Sequence, residues 1–418
     1  MNSPTTNEAI VIGAGIVGLC CGLSLLEKGV PVRLIDRDEP GQGASRGNAG
    51  VISPWSCVPQ SLPGTWKSIP RWLLDPEGPV AIRPRYLLKA VPYALRFLKA
   101  GRIDRVRQIS AAMSALTRPN IDLYRHHLSG TGQEGLLRES SYVLVSRKPE
   151  DASLDDLASQ LRIAQGARLE RLDDGPLHEL EPDLSPDYKA AILVRDQARA
   201  LSPGDIGAAL ATKARALGAT FLRTGVRGLV PREGGGWRLI TDGGELDAPQ
   251  VVVAAGAWSA RLLEPLGIRV PLEPERGYHL LFRDPGVRLN NSVLEVERKF
   301  VASSMAMGLR SAGTAELAGL DAAPDYRRAR VFERLTKRLL PGLNTADSEE
   351  WMGIRPSMPD SLPCLGAVPG QAGLFAAFGH GHYGLGMAPM TGRLIAELVA
   401  GATPNLDLAP YAVDRFDG

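Results

Sequence analysis

A chain of 418 residues is too long for one compact core, so its length predicts two domains that share an interface. With 44% hydrophobic and 22% charged residues it has the composition of a soluble globular enzyme, and a net charge of +2 excludes an electrostatic case for a nucleic-acid partner. The four cysteines form no C-x-x-C pair and no cluster with histidines, which excludes a recognisable zinc site or disulfide framework and favours a reducing, cytoplasmic location.

The first patterned segment is an apolar, β-branched run that leads into a helical stretch. Residues 9–12 predict a buried strand, residues 19–28 a helix and residues 30–35 a second strand. The apolar stretch 9–26 also resembles a signal sequence or membrane span. Its four glycines, and the absence of Lys or Arg in residues 1–7, favour the strand–turn–helix interpretation.

The turn between this strand and helix has the sequence Gly13-Ala-Gly15-Ile-Val-Gly18. Gly13 permits a tight turn, Gly15 lets the backbone approach a pyrophosphate, and Gly18 lets the helix pack on the strand. The phosphates would lie on free N–H groups at the positive end of the helix dipole. Asp36, at the end of the second strand, is placed to accept both ribose hydroxyls and to repel a 2′-phosphate. The motif predicts a dinucleotide other than NADP, without deciding between FAD and NAD.

The segment after the second strand favours FAD. An NAD-binding domain would usually continue with a second parallel half-unit, whereas residues 38–50 form a polar, glycine-rich loop. Small residues in this loop allow close approach to a flat ring, and Ser45 and Asn48 offer hydrogen bonds. We therefore expect the loop to cover the middle of an extended cofactor.

A second glycine-rich turn, residues 379–386, lies between a predicted strand (375–378) and a predicted helix (385–400). N–H groups at the start of this helix would stabilise the negative charge that reduction builds on the pyrimidine edge of a flavin. No carboxylate or cysteine flanks His380 and His382, so no metal site is predicted. His382 lies either at the flavin edge or in a purely structural position.

Residues 44–50, together with Ser53-Pro54, resemble the D-amino-acid dehydrogenase branch of the D-amino-acid oxidase/glycine oxidase flavoprotein family. Four further stretches resemble the same family, namely 224–226, 251–258, 351–366 with its G-x-R-P and P-D-x-x-P-x-x-G patterns, and 379–386. Together they span nearly the whole chain. The resemblance implies an α/β fold with a discontinuous Rossmann-type FAD-binding domain and a second, substrate domain built from a mixed β-sheet plus helices.

The opening motif and the resemblance together give the expected FAD contacts. These are Gly13, Gly15, Ile16, Val17, Gly18, Asp36, Arg37, Ala44, Ser45, Asn48, Ala49, Gly50, Val226, Ala255, Gly256, Trp258, His382, Tyr383, Gly384 and Leu385. Relatives with covalently attached flavin carry a cysteine before the position of Pro359, whereas Cys364 lies after it. The resemblance therefore implies noncovalent FAD.

The expected FAD-binding domain comprises residues 1–53, 196–270 and 352–418, and the expected substrate domain comprises 54–195 and 271–351. Within the substrate domain, residues 277–282, 292–296 and 299–302 predict strands and residues 326–340 a helix. This sheet with helical cover is expected to lie over the flavin ring.

Oxidation of an amino acid by flavin transfers the Cα hydrogen as hydride to flavin N5, so the protein must chiefly position the substrate. An arginine suits the carboxylate, because its planar fork matches two oxygens. Arg355 occupies the position that binds the substrate carboxylate in the family's G-x-R-P pattern. Arg276 and Tyr278 alternate on a predicted strand, so both could face the flavin, although Tyr278 is equally explained as a packed strand aromatic.

Residues 66–107 hold ten Lys or Arg against three acids, interleaved with leucines and aromatics. Such a segment either contacts the inner face of the cytoplasmic membrane and passes electrons to a quinone or other carrier, or covers the active site with a solvated basic face. Its five prolines are predicted to break any long amphipathic helix, which weakens the membrane interpretation.

The leading hypothesis is FAD-dependent oxidation of a small D-amino acid to its imino acid, then to the 2-oxo acid and ammonia. Oxidation of a cyclic or secondary amino acid (D-proline, hydroxyproline, sarcosine or glycine) remains an alternative within the same chemistry. An alternative of another class is a non-catalytic FAD-binding subunit of a larger complex, which would not need Arg355 and Tyr278 over the flavin. The enantiomer, the electron acceptor and the oligomeric state stay open.

Overall fold

The computed structural model describes residues 8–417, so residues 1–7 of the predicted segment 1–53, and Gly418, lie outside the described residues. In this range the strands are β1 (Ala9–Ile12), β2 (Val32–Asp36), β3 (Val51–Ile52), β4 (Val80–Ile82), β5 (Leu137–Ser146), β6 (Leu169–Asp173), β7 (Ala190–Ala200), β8 (Thr220–Arg223), β9 (Val226–Pro231), β10 (Trp237–Thr241), β11 (Gly244–Ala248), β12 (Gln250–Val253), β13 (Glu273–Phe282), β14 (Ser292–Glu295), β15 (Phe300–Met305), β16 (Gly308–Leu317), β17 (Ser348–Ser357), β18 (Cys364–Ala367) and β19 (Leu374–Phe378). The α-helices are α1 (Ile16–Glu27), α2 (Ile69–Leu74), α3 (Leu87–Ala100), α4 (Ile103–Thr117), α5 (Asn120–Leu128), α6 (Leu157–Ala164), α7 (Asp174–Leu180), α8 (Pro203–Ala216), α9 (Ser259–Leu263), α10 (Arg327–Leu339) and α11 (Gly384–Val399).

A six-stranded sheet with the order β18-β19-β12-β1-β2-β8 connects to both predicted glycine turns. All neighbouring strands are parallel except β18 and β19. Strand β1 is apolar and buried along its whole length, as a strand covered on both faces requires. The chain order reverses at β1, which has β2 on one side and β12 on the other. The carboxyl end of β1 is therefore the topological switch point, where open α/β sheets bind ligands.

The two faces of this sheet have different cover. Val11 packs in a core with helices α1, α4, α5, α8 and α11, whereas Ile10 and Ile12 pack against the three-stranded sheet β11-β10-β9. Helices α1 and α11 approach closely, because a Cβ at Gly392 of α11 would lie 2.5 Å from the carbonyl oxygen of Cys20 in α1. The two helices that follow the glycine turns are thus held as one unit.

A ten-stranded mixed sheet forms the second domain, with the order β17-β13-β16-β15-β14-β5-β7-β3, and with β4 paired to β16 and β6 paired to β7. Helix α10 covers one face near β13, where Tyr278, Phe282 and Phe332 share a buried cluster. The opposite face meets the loop 44–50 and the second glycine turn. The predicted α/β class is confirmed, and the six-stranded sheet is assembled from three separate parts of the chain.

The hydrogen bonding corrects several predicted domain boundaries. The boundary at 195/196 falls inside β7 and the one at 351/352 inside β17, yet both strands pair along their length within the larger sheet. Strand β3, predicted in the FAD-binding domain, also pairs with β7. Helices α4 and α5, predicted in the substrate domain, instead bury Met113 and Tyr124 in the core beneath α1 and α11. Boundaries set by composition cannot follow strands that continue across them.

The prolines of residues 66–107 divide the segment into short elements, as predicted, except that Pro92 does not break α3. Pro70 and Pro84 lie in the first turn of α2 and of a short 3-10 helix, where an N–H is not needed. Helix α3 continues through Pro92 for its full fourteen residues. An amphipathic helix therefore forms in this segment.

Candidate functional site

The turn after β1 requires glycine at its first and last positions. Gly13 has a φ of 107°, and a Cβ there would lie 2.3 Å from the carbonyl oxygen of Ala254, just beyond β12. A Cβ on Gly18 would lie 1.9 Å from the carbonyl oxygen of Gly13. Both glycines are needed by the packing of the chain itself, because α1 could not otherwise approach β1.

Gly15 is different, because nothing in the chain requires a glycine there. Its φ of −69° suits any residue, and the nearest atom to a Cβ would be Oγ of Ser45 at 3.6 Å, an ordinary contact. The space beside Gly15 lies at the N-terminus of α1, where the N-cap residue offers no side chain, the first turn holds no acid, and Ser45 takes the N–H of Ile16 only. Free N–H groups and the helix dipole bind anions at such a position. The residues present therefore fit the pyrophosphate of FAD.

The residues predicted for the adenosine end of the cofactor lie around the carboxyl end of β2. The Asp36 carboxylate accepts a hydrogen bond from the backbone N–H of Ala14 at 2.7 Å, which holds it beside the glycine turn. The Arg37 guanidinium lies 3.9 Å from the centroid of the Trp258 ring, a cation–π contact that joins β2 to the turn after β12. The N–H of Thr224 donates to the carbonyl oxygen of Asp36 at 2.8 Å, which brings the start of β9 alongside.

The loop 44–50 connects the first glycine turn to the larger sheet. Ser45 Oγ accepts a hydrogen bond from the N–H of Ile16 at 3.1 Å, at the N-terminus of α1. Asn48 Oδ1 accepts one from the N–H of Gly50 at 2.8 Å, and Gly50 has a φ of 81°. The loop therefore runs between the two sheets.

An aromatic and cationic group of the larger sheet anchors this loop. His279 stacks on Trp351 with ring centroids 4.9 Å apart, and its Nδ1 lies 3.1 Å from the carbonyl oxygen of Gly47. Arg310 Nη1 donates to the carbonyl oxygen of Asn48 at 2.7 Å. A Cβ on Gly47 would enter the Trp351 ring. Burial, with the nearby Arg310, lowers the pKa of His279 to about 3, so its imidazole is neutral.

The two histidines of the second glycine turn lie in different surroundings. His380 is buried and its Nε2 hydrogen-bonds Thr391 Oγ1 at 2.9 Å, which makes it structural. His382 points to the larger sheet, where its Nε2 lies 2.8 Å from Oε1 of Glu275. Tyr383 lies at the start of α11, which no side chain caps, and its hydroxyl donates to the carbonyl oxygen of Val58 at 2.6 Å.

Arg355 lies on the face of the larger sheet that meets the loop 44–50 and the second glycine turn. Its guanidinium lies flat on Gly277 in the neighbouring strand, where a Cβ would come within 2.2 Å of it. Arg355 Nη1 donates to Oε1 of Glu275 at 2.6 Å, and Ser357 Oγ donates to Oε2 of Glu275 at 3.0 Å. With His382 on the same carboxylate, Glu275 joins the strand that carries Arg355 to the flavin-side turn.

The remaining contacts of Arg355 define which edge of its guanidinium is available. Nη1 also donates to the carbonyl oxygen of Thr314 at 2.8 Å, so both of its hydrogens are engaged. Nη2 makes one bond, of 3.3 Å, to the carbonyl oxygen of Gly313, and Nε bonds no group within residues 8–417. Thr314 has a φ of 56°, uncommon for a β-branched residue, beside these contacts. The Nε–Nη2 edge is therefore the one left for a carboxylate.

Replacing Glu275 with Gln should change the acid stability of the protein. Burial would raise the pKa of Glu275, but His382 and Arg355 outweigh burial and lower it to about 2 from 4.5. Ionised Glu275 thus stabilises the fold above about pH 4.5, and this contribution, roughly 3 kcal/mol, disappears as the pH falls toward 2. We expect Glu275→Gln to unfold more easily than wild type at pH 7, with the difference vanishing near pH 2. Urea unfolding at several pH values measures this, and a pH-independent difference would contradict it.

The structure corrects the predicted roles of Arg276 and Tyr278, which face away from the glycine turns. Arg276 is fully buried and donates to carbonyl oxygens of residues 319–323. The Tyr278 hydroxyl donates to Glu316 at 2.6 Å and accepts from the N–H of Asp325 at 3.0 Å, on the side covered by α10. The two residues do share one strand face, as predicted, but it is the opposite face from that of Arg355.

Tyr278→Phe should therefore affect stability and not substrate binding. The change removes a buried hydroxyl with two partners, at a cost of about 1–3 kcal/mol. We expect a lower melting temperature and a KM within about twofold of wild type, measured by thermal unfolding and steady-state kinetics. Tyr411→Phe, which removes another buried hydroxyl (bonded to Ala112), is the matched control. A large rise in KM for Tyr278→Phe alone would return Tyr278 to the substrate site.

Sequence reasoning missed Glu275, His279, Trp351 and Arg310. One of them could have been predicted from strand alternation, because Trp351 is four residues from Arg355 and so lies on the same face of the strand. The antiparallel register then pairs Glu275 with Arg355 and His279 with Trp351.

The other predicted FAD contacts lie in or next to the turns already described. Those not yet placed are Val17 in α1, Ala44 and Ala49 in the loop, Val226 at the start of β9, Ala255 and Gly256 after β12, and Gly384 and Leu385 at the start of α11. Gly256 has a φ of 56°, as a tight turn requires.

Comparisons with known proteins show the family and the fold of the chain. The DAO family model, described as FAD dependent oxidoreductase, matches residues 8–398. The chain is 37% identical to a D-amino-acid oxidase of Bradyrhizobium diazoefficiens, over 99% of this chain and 100% of the relative. It is 30% identical to a D-amino acid dehydrogenase of Rhizobium johnstonii, over 98% and 100% respectively. The structure resembles that of glycine oxidase from Geobacillus kaustophilus with a TM-score of 0.74 and 25% identity, covering 99% of each chain.

Proposed function

The chain belongs to the DAO family of FAD-dependent oxidoreductases, and we propose that it oxidises a small D-amino acid to the imino acid, which water converts to the 2-oxo acid and ammonia. The observation that carries this proposal is the half-buried Arg355, held on Gly277 with one bidentate edge free, on the sheet face that meets the loop 44–50 and the second glycine turn. An anionic group of a small substrate matches that edge.

In this proposal the chain positions the substrate and needs no protein base. Arg355 binds the α-carboxylate through Nε and Nη2, and Glu275 keeps the guanidinium in that orientation through Nη1. His382 is held by the same carboxylate at the start of α11. Bound FAD supplies the acceptor for the hydride that leaves Cα. The substrate enters as the neutral amine, so its nitrogen lone pair forms the C=N bond as the hydride leaves.

A substrate panel tests this proposal. We expect turnover of small D-amino acids with an artificial electron acceptor and none of their L-isomers. Glycine, sarcosine and D-proline belong in the panel, because a strong preference for one of them would replace the proposed substrate class with a secondary or cyclic amine. Turnover of L-isomers alone would contradict the proposal.

We propose that FAD is bound noncovalently. Cys364 is fully buried at the start of β18, where Arg415 Nη1 lies 3.4 Å from its Sγ. Burial raises the pKa of this thiol, which keeps it unreactive. Acid precipitation of the protein should leave all yellow colour in the supernatant.

We propose that the outer face of residues 66–103 contacts an anionic membrane surface. This stretch carries nine of the fourteen large hydrophobic side chains that are exposed within residues 8–417. They are Trp66, Leu73, Leu74, Leu87, Leu88, Val91, Leu95, Leu98 and Ile103. On α3 the spacing of Lys89, Arg96 and Lys99 places them along one flank of the apolar stripe, where they would meet anionic lipid headgroups.

The inner face of the same segment supports a link between membrane and active site. The hydroxyl of Tyr86 donates to Oε2 of Glu273 in β13 at 3.3 Å, two residues from Glu275. The segment would thus cover the site with one face and meet lipid with the other. No helix within residues 8–417 is both long and apolar enough to cross a bilayer, so this contact would be peripheral. We further propose a quinone in that membrane as the electron acceptor.

Leu88→Glu combined with Leu95→Glu should abolish membrane binding, because the two side chains are 84% and 63% exposed on α3. We expect wild type to sediment with vesicles that contain phosphatidylserine, less so with pure phosphatidylcholine or in high salt, and the double variant to lose about tenfold or more. Leu217→Glu, at an exposed leucine outside the segment, is the matched control. Equal sedimentation of wild type and double variant would contradict the membrane contact. Reoxidation of the reduced flavin that is faster with oxygen than with a quinone analogue would contradict the proposed acceptor.

A further inference from the structure

Three potential metal ligands converge on the side of the molecule where helices α1 and α5 end. Glu27 is the last residue of α1, and His126 and His127 lie in the last turn of α5. His126 Nε2 lies 2.8 Å and His127 Nδ1 3.9 Å from the same oxygen, Oε1 of Glu27. One ligand atom from each residue lies within 4.8 Å of the others. Neither the flavin chemistry nor the proposed membrane face uses these residues.

His127 provides an independent observation that points to a ligand. Its side chain is only 2% exposed, yet neither ring nitrogen has a hydrogen-bond partner within residues 8–417. A buried imidazole without a partner is costly, and such a group in a native protein calls for an explanation. A cation bound between Nδ1 and Glu27 would satisfy one of these nitrogens.

We propose that Glu27, His126 and His127 bind one Zn²⁺ ion, with water completing the coordination. Two imidazole nitrogens and one carboxylate oxygen are a donor set that suits zinc and not the harder Mg²⁺ or Ca²⁺. In a tetrahedral site with ligand bonds of about 2.0–2.2 Å, donor atoms lie roughly 3.3–3.6 Å apart. The present separations bracket this range, and Glu27 and His126 are exposed enough to adjust.

Neighbouring contacts show what the imidazoles are free to bind and which helices a bound ion would connect. Lys213 Nζ binds the carbonyl oxygens of His126 and His127 at 3.2 and 2.9 Å, which satisfies the end of α5 and leaves the imidazoles for the ion. Farther along α5, Tyr124 donates to the carbonyl oxygen of Leu385 at the start of α11 at 2.7 Å. The ion would therefore join α1 to the helix that supports α11, and so link the two helices whose N-termini face the cofactor.

Calorimetric titration of the untagged, FAD-loaded protein with ZnCl2 tests the proposal. We expect about one equivalent of Zn²⁺ to bind and no Mg²⁺ to bind at the same concentrations. His126→Ala and Glu27→Gln, both at exposed positions, should each weaken Zn²⁺ binding at least about tenfold. His178→Ala is the matched control, because His178 lies 3.3 Å from Asp174 and belongs to no such three-residue group within the described residues.

Thermal unfolding gives a second measurement on the same proteins. Zn²⁺ should raise the melting temperature of wild type and of His178→Ala, and should leave that of Glu27→Gln unchanged. Unchanged Zn²⁺ affinity in both His126→Ala and Glu27→Gln would overturn the proposal, as would the absence of Zn²⁺ binding to wild type. Because both variants lie outside the flavin cleft, these results are independent of the substrate assignment.

Discussion

Arg355→Ala should raise the KM for the amino acid on the order of 100-fold while the protein keeps its FAD. The guanidinium lies on the face of the larger sheet and not against the glycine turn after β1, so its loss removes the contact to the substrate carboxylate and spares the cofactor. Steady-state kinetics with a small D-amino acid, together with the flavin absorbance of the purified variant, measure the two effects separately.

Two further variants separate lost binding from lost structure. Arg355→Ala leaves Glu275 as a buried carboxylate that has lost one of its three partners, which destabilises the fold. The double variant Arg355→Ala with Glu275→Gln removes that charge, and we expect it to fold while keeping the high KM. Arg355→Lys keeps the charge but not the planar fork, so its KM should lie between wild type and Arg355→Ala. Unchanged KM in all three variants would remove Arg355 from the substrate site.

Gly15→Val should lower the affinity for FAD by about 10–100-fold without unfolding the protein. The backbone at Gly15 suits any residue and the nearest atom to a Cβ there is Ser45 Oγ at 3.6 Å, so we expect the protein without cofactor to be as stable as wild type. The added side chain would occupy the space assigned to the pyrophosphate. Fluorescence titration of the FAD-free protein with FAD measures the affinity, and thermal unfolding of the same sample measures the fold.

Two alanine variants complete this comparison. Gly18→Ala should destabilise the protein even without FAD, because its Cβ would lie 1.9 Å from the carbonyl oxygen of Gly13. Gly175→Ala, where a Cβ meets nothing within 4 Å, should change neither stability nor FAD affinity. If Gly15→Val bound FAD as wild type does, the pyrophosphate would have to lie elsewhere.

The positions of the strands, turns and helices could be predicted where the residue types favour a single local structure. A fully buried apolar strand, a glycine turn and a helix form together at residues 9–27, and their packing leaves no room for a Cβ at Gly13 or Gly18. The closing strand and helix were predicted within one residue at each end, since glycines bound both of them.

The orientation of β13 could not be predicted from composition. All ten of its residues are buried, so no alternation of polar and apolar side chains distinguishes its faces. Arg276 was assigned to the wrong face for this reason, and Glu275 was missed because its ion pair with Arg355 depends on the register of two strands about eighty residues apart. Likewise, the sequence pattern did not reveal that α3 continues through Pro92.

The central claim is that a flavin lies between the two glycine turns, with Arg355 directed at the acid group of a D-amino acid. Anaerobic addition of a small D-amino acid to the purified protein, followed by its visible absorbance, tests this most directly. We expect the flavin band of wild type to bleach with the D-isomer and to persist with the L-isomer. The band of Arg355→Ala should persist with the D-isomer at the same concentration. A protein that contains no flavin and takes up none, or one whose band persists with every amino acid tried, would contradict the claim.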